Sequence, residues 1–124
     1  MTASWMGDLA RVLVALPFVE FGRVSLGPAR ILPRLRWTAG RCRRRSPSER
    51  GALRRLIATV DARLPDGGNC YRRALLEICV DAGAAEEKLY MGLKHHGGPR
   101  SGHAWLASWP DAANAGAYDA VLEM

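Results

Sequence analysis

Cysteine is scarce in this chain and odd in number. Cys42, Cys70 and Cys79 cannot complete a paired framework, which argues against a disulfide-stapled secreted domain and for a reducing, cytoplasmic compartment. None of them forms a Cys-x-x-Cys motif or falls with a histidine at the spacing of a zinc site, so neither a metal nor a cofactor is expected. Long apolar runs are missing too. The richest stretch, residues 9–26, is interrupted by Arg11, Glu20 and Arg23 and contains Pro17, which excludes a transmembrane span. Asp8 and the late Arg11 also fit a secretory signal poorly. Adsorption of an amphipathic N-terminal segment to a membrane surface is the membrane association that stays compatible. There is no internal repeat and no low-complexity tract.

What is present suits one compact domain overall. The chain has 124 residues, 48% of them apolar, enough for a real core. A net charge of +6 and a pI near 9.9 favour acidic partners, whether peptide, membrane surface or nucleic acid. Much of the positive charge lies between Arg30 and Arg55, including Arg41, Arg43, Arg44 and Arg45. This run reads equally as a docking patch for something negative and as a solvated linker and helix face. No aromatic residues interleave with it as a base-stacking surface requires, so nucleic acid is not an expected partner.

Leu9, Val12, Leu13, Leu16 and Val19 recur at helical spacing, predicting helix within residues 1–37, broken near Gly22 to Pro28 and kinked at Pro17. Residues 38–46 form a basic connector. Ser46, Pro47 and Glu49 then give a capping box with proline at the first helical position. Leu53, Leu56, Ile57 and Val60 supply the buried stripe of that helix, which is expected to end near Leu64-Pro65. Asn69 is a suitable cap for a helix from Cys70 to about Ala82, stopped by Gly83. Three strands follow in an antiparallel meander: Lys88 to Lys94, His103 to Trp109 and Tyr118 to Met124, the first two joined by the loop His95 to Gly102. The order is that of an α+β fold.

Cys70 is the residue in this pattern with chemical promise. At the first turn of a helix, unpaired N–H groups and the helix dipole favour an anion, so a thiolate is stabilised there and the thiol pKa should fall; the flanking Arg72 and Arg73 are expected to help. The same N–H groups suit the oxyanion of a tetrahedral intermediate. A thiolate nucleophile needs an imidazole to share its proton and an acid or amide to orient that imidazole. His95 and His96 lie in the Gly/Pro-containing loop. His103 opens the apolar strand His-Ala-Trp-Leu, with Trp105 on the same face two residues on, placed to shield a site from water. Cys79 is nine residues from Cys70, on the far side of the helix beside Ile78, and reads as core. Cys42 is assigned no role.

The stretch from Asn69 to Leu106 resembles the leader peptidase of lasso-peptide biosynthesis, a member of the transglutaminase-like cysteine protease superfamily. The matching pieces are Cys70-Tyr-Arg-Arg-Ala-Leu75 with Leu76 behind it, Ala82-Gly83, Leu89-Tyr-Met-Gly-Leu93 and Gly102-His-Ala-Trp-Leu106; Ala62 to Pro65 resembles the lead-in to the cysteine. The resemblance implies a basic helical segment over residues 1–45 and a papain- or transglutaminase-like core over 46–124, in which the cysteine-bearing helix packs on a small antiparallel sheet. It implies Cys70 as nucleophile and His103 as base in cleavage at a leader–core junction. The partners it implies are a precursor peptide, a small leader-recognition protein and an ATP-dependent cyclase. The family places an acidic residue about a dozen positions after the histidine, where this chain has none. Asp119 matches the longer spacing of transglutaminase-like domains, Asn114 gives a papain-like Cys-His-Asn set, and Asp111 is the third alternative. The absence of the usual acid also admits a weak or inactive relative that docks a partner through its basic N-terminal half.

Overall fold

The computed structural model describes residues 2–94, 101–110, 112, 116, 118 and 120–124. Among them are five helices and one three-stranded antiparallel sheet, the α+β class that the pattern predicts. The chain divides into two compact units, residues 1–86 and residues 87–124. The basic segment 1–45 and the cysteine-bearing helix thus share the first unit, and the sheet makes up the second.

In the helical unit, α1 (Thr2–Ser25) runs through Pro17 and Gly22, and the chain breaks only at Leu26-Gly27 before α2 (Pro28–Ala39). The buried stripe of α1 is Val12, Ala15 and Val19, whereas Leu13 faces outward. This helix is apolar on nearly every side, so periodicity alone does not select the packed face. The capping box forms at the start of α3 (Pro47–Ala62): the Ser46 hydroxyl accepts the Glu49 N–H at 3.3 Å, and the Glu49 carboxylate accepts the Ser46 N–H at 3.0 Å. Leu53 and Ile57 are buried beneath it.

α4 (Cys70–Val80) is the hub, packed by α1, α2, α3 and the short α5 (Ala82–Ala85). Every residue from Ala74 to Val80 is buried. The helix stops before Gly83. Asp81 closes it and then starts α5, its carboxylate accepting the N–H groups of Gly83 at 3.4 Å and Ala84 at 3.1 Å. A side chain that caps ends the helix sooner than a glycine further on.

Of the arginine run only Arg45 turns inward, and Arg41, Arg43 and Arg44 stay exposed. Arg45 is buried and donates to Asp8 and to the Val80 carbonyl, both at 2.6 Å. Arg43 pairs with Glu49 at 2.9 Å, and Arg44 pairs with Glu86. Arg50 reaches Glu77 at 2.7 Å and Asp81 at 2.9 Å, and Arg54 reaches Glu77 at 3.0 Å. Glu77 and Asp81 are buried on the hub helix, and a buried carboxylate is tolerated only when paired. The connector and α3 supply the cations.

In the second unit the strand order is β2 (Ser101–Leu106), β1 (Leu89–Lys94), β3 (Ala120–Glu123), all antiparallel. The sheet is therefore not a meander: the last strand pairs with the first, and reciprocal 2.8 Å bonds between Leu89 and Met124 extend that ladder. Opposite β2, Gly92 faces His103 and Tyr90 faces Trp105. β2 ends at Leu106, short of Trp109, because the chain turns there. The Glu87 carboxylate holds that turn by accepting the Ser108 N–H at 2.8 Å and its hydroxyl at 2.9 Å. Among the described residues no helix is long and apolar enough to cross a membrane.

Candidate functional site

Cys70 is the first residue of α4 and is partly exposed. The loop in front of it is held from below. Asn69 caps the helix by accepting the Arg72 N–H at 3.0 Å. Gly68 has φ +83°, a left-handed conformation that glycine adopts without strain. The buried Asp61 carboxylate accepts the N–H groups of Gly68 at 2.8 Å and Asn69 at 3.2 Å. It also receives the Arg72 guanidinium through Nε at 2.8 Å and Nη2 at 2.5 Å.

Arg72 therefore does not flank the thiol as a solvent-facing charge. Its side chain is fully buried and folds back beneath the loop, bonding Asp66 at 2.6 Å and lying 3.4 Å from Glu20. Hydrogen bonding to Arg72 holds the Asp66 carboxyl down at about 2. Glu20 is lowered as well, chiefly by its hydrogen bond to Arg23. Arg73 lies 3.8 Å from Asp61. The service of Arg72 to Cys70 is mechanical: it welds the end of α3, the loop and the first turn of α4 into one piece. The helix dipole remains, with its positive end at the first turn of α4, where Cys70 stands.

The three cysteines are all thiols. Cys79 is buried, with the Cys42 thiol 4.0 Å from its carbonyl, and burial pushes the Cys79 thiol up to about 11. It is the inert thiol that its place on the helix predicts. Tyr71, next to Cys70, keeps its hydroxyl buried without a hydrogen-bond partner among the described residues, and burial raises its pKa.

His103 lies in the sheet unit, on β2. Its ring stacks on Trp105 at 5.7 Å and on Tyr118 at 6.2 Å, and Trp105 stacks in turn on Tyr118 at 5.3 Å and Tyr90 at 5.9 Å. The imidazole is partly exposed at the edge of this stack, while Trp105 is almost wholly buried. Gly92 makes the arrangement possible. A Cβ there would come within 2.6 Å of the Tyr118 ring, which uses the vacant space over β1 to reach His103.

Cys70 and His103 are thus each held on regular structure, one in each unit. Asp119, Asp111, Asn114, His95 and His96 lie outside the described residues. Sequence reasoning missed three contributors, Asp61, Gly92 and Tyr118, and read Arg72 as a cation beside the thiol rather than as a buried tie. Asp61 carried a signal, because it continues the buried i, i+4 row of Leu53 and Ile57, and a carboxylate in that register needs an internal cation. Among the described residues no three His, Cys, Asp or Glu side chains are grouped to hold a metal ion. No family model, curated protein or solved structure matches the chain.

Proposed function

We propose that the chain is a cysteine peptidase with Cys70 as nucleophile and His103 as its proton partner. The observation that carries this reading is the setting of Cys70: a partly exposed thiol at the N-terminus of the hub helix, on a loop fixed by a buried ion pair, in a helix whose other cysteine is inert. In this reading the Cys70 thiolate attacks the peptide carbonyl carbon and a sulfur–carbon bond forms. The carbon–nitrogen bond then breaks as His103 delivers a proton to the leaving amine. His103 next takes a proton from water, which attacks the thioester, releases the carboxylic acid and restores the thiol. Trp105 and Tyr118 wall the imidazole, limiting its rotation and its access to water. Asp119 is the favoured orienting residue, with Asp111 and Asn114 as alternatives.

The substrate class rests on the resemblance: the leader of a ribosomally made precursor, presented by a small recognition protein, with an ATP-dependent cyclase acting on the product in the reducing cytoplasm. Incubation with precursor and recognition protein tests this. Wild type releases the leader, Cys70→Ala does not, and His103→Ala loses about a hundredfold or more. Undiminished cleavage by Cys70→Ala overturns the reading.

A second reading is a non-catalytic module that docks a partner through its basic N-terminal half. Arg30, Arg34 and Arg41 form no ion pair among the described residues, which favours it. A thiol-reactive probe separates the two. Labelling of Cys70 near neutral pH much faster than a model thiol supports the enzyme, and ordinary labelling supports the module.

A further inference from the structure

One face of the helical unit is not used by the peptidase reading. The side of α1 turned away from α3 and α4 is apolar from Met6 to Val24, about 27 Å at helical rise. Val14, Phe18, Phe21 and Val24 are 67–76% exposed on it. Between α1 and α2 this face continues into an open groove of about 660 Å³, lined almost entirely by apolar side chains, with Arg11 and Arg34 as its only charged members. Beside it on α2 stands Trp37, 66% exposed, with the Arg41 guanidinium 4.3 Å from its ring. α2 has no acidic residue, and Arg30, Arg34 and Arg41 point no charge at any carboxylate among the described residues.

We propose that this face is a peripheral membrane-binding surface, on which the α1 ridge enters the acyl boundary of a bilayer while the α2 arginines meet anionic lipid phosphates. Exposed apolar patches of this extent mark interaction sites, and two features favour lipid over protein. A protein interface carries about one hydrogen bond per 100–200 Å², yet Arg11 is the only polar side chain that α1 brings to the groove, and the Thr38 hydroxyl there is already donated to the Arg34 carbonyl at 3.0 Å. Acyl chains require no such group. The polar groups that the face does present are guanidinium, which suits phosphate in a bidentate geometry, and an indole at the border, where tryptophan is enriched at membranes. The proposal is independent of the peptidase reading.

The experiment is co-sedimentation of the full chain with vesicles of phosphatidylcholine alone or with 30% phosphatidylglycerol. Binding is expected with the anionic vesicles and is weakened by raising salt. Phe18→Ser and Phe21→Ser, both exposed and so compatible with folding, each weaken partition about tenfold. Paired Arg30→Gln and Arg34→Gln substitutions abolish the preference for anionic lipid. Circular dichroism confirms the fold of each variant. Absence of binding to either vesicle, or unchanged binding by both phenylalanine variants, overturns the proposal. So does self-association without lipid that the same phenylalanine variants abolish, since the face would then be a protein interface.

Discussion

Asp61 and Arg72 show how much one buried pair can fix. Arg72 spends its guanidinium on Asp61, Asp66 and the Asp66 carbonyl, so the six residues between the end of α3 and Asn69 have little freedom left. Removing one partner of such a pair leaves an uncompensated buried charge and costs about 3–5 kcal/mol. Asp61→Asn is therefore expected to lower stability by that order in urea unfolding, and to alter Cys70 labelling more than its effect on global unfolding explains. In the wild type an alkylating reagent at pH 8 modifies Cys70 and spares Cys79, whose thiol ionises only near 11. Equal labelling of the two at pH 8 contradicts the inert assignment of Cys79. Neither arginine role was legible beforehand. An arginine beside a cysteine reads as a surface cation, and only partners 6 and 11 residues away in the folded chain draw it inside.

Among the helices and strands, what depended on local chemistry was legible. The capping box at Ser46 and the Asn69 cap act over three residues, and both form as the sequence predicts. What depended on distant partners was not. The stop of α4 moved from Gly83 to Asp81, and β3 chose β1 over β2, a pairing that alternation along a single strand cannot encode. That choice places Tyr118, just before β3, over Gly92 and against His103. Gly92→Ala tests its consequence. The new methyl group displaces the Tyr118 ring and removes one wall of the imidazole, so leader cleavage is expected to fall at least tenfold. The helical unit, which does not include Gly92, is expected to keep its circular dichroism and its labelling at Cys70. Full cleavage by Gly92→Ala means that the Tyr118 wall has no part in the chemistry.

Taken whole, the chain reconciles a net charge of +6 with a densely ionic interior, its arginines answering carboxylates on α1, α3 and the hub helix. This makes stability depend on pH at both ends. Asp66 and Glu49 both ionise near 2, below their ordinary 3.8 and 4.5, Asp66 through Arg72 and Glu49 through the Ser46 backbone and Arg43. Their folded pKa values are depressed, so between about 4.5 and about 2 the unfolded chain binds more protons than the folded one. The stabilisation is complete above the unfolded values and is lost as pH falls through about 2. Cys79 has the opposite sign: its raised pKa contributes stability below about 9 that is lost as pH rises through about 11. Urea midpoints measured across these ranges should fall at both ends. Because Asp66 and Glu49 are open to solvent, salt should flatten the acid limb. Asp66→Asn removes one of the two carboxylates and should make the acid limb shallower while leaving the alkaline limb alone; an acid limb of unchanged slope in that variant means that the Arg72–Asp66 bond does not hold the loop before Cys70.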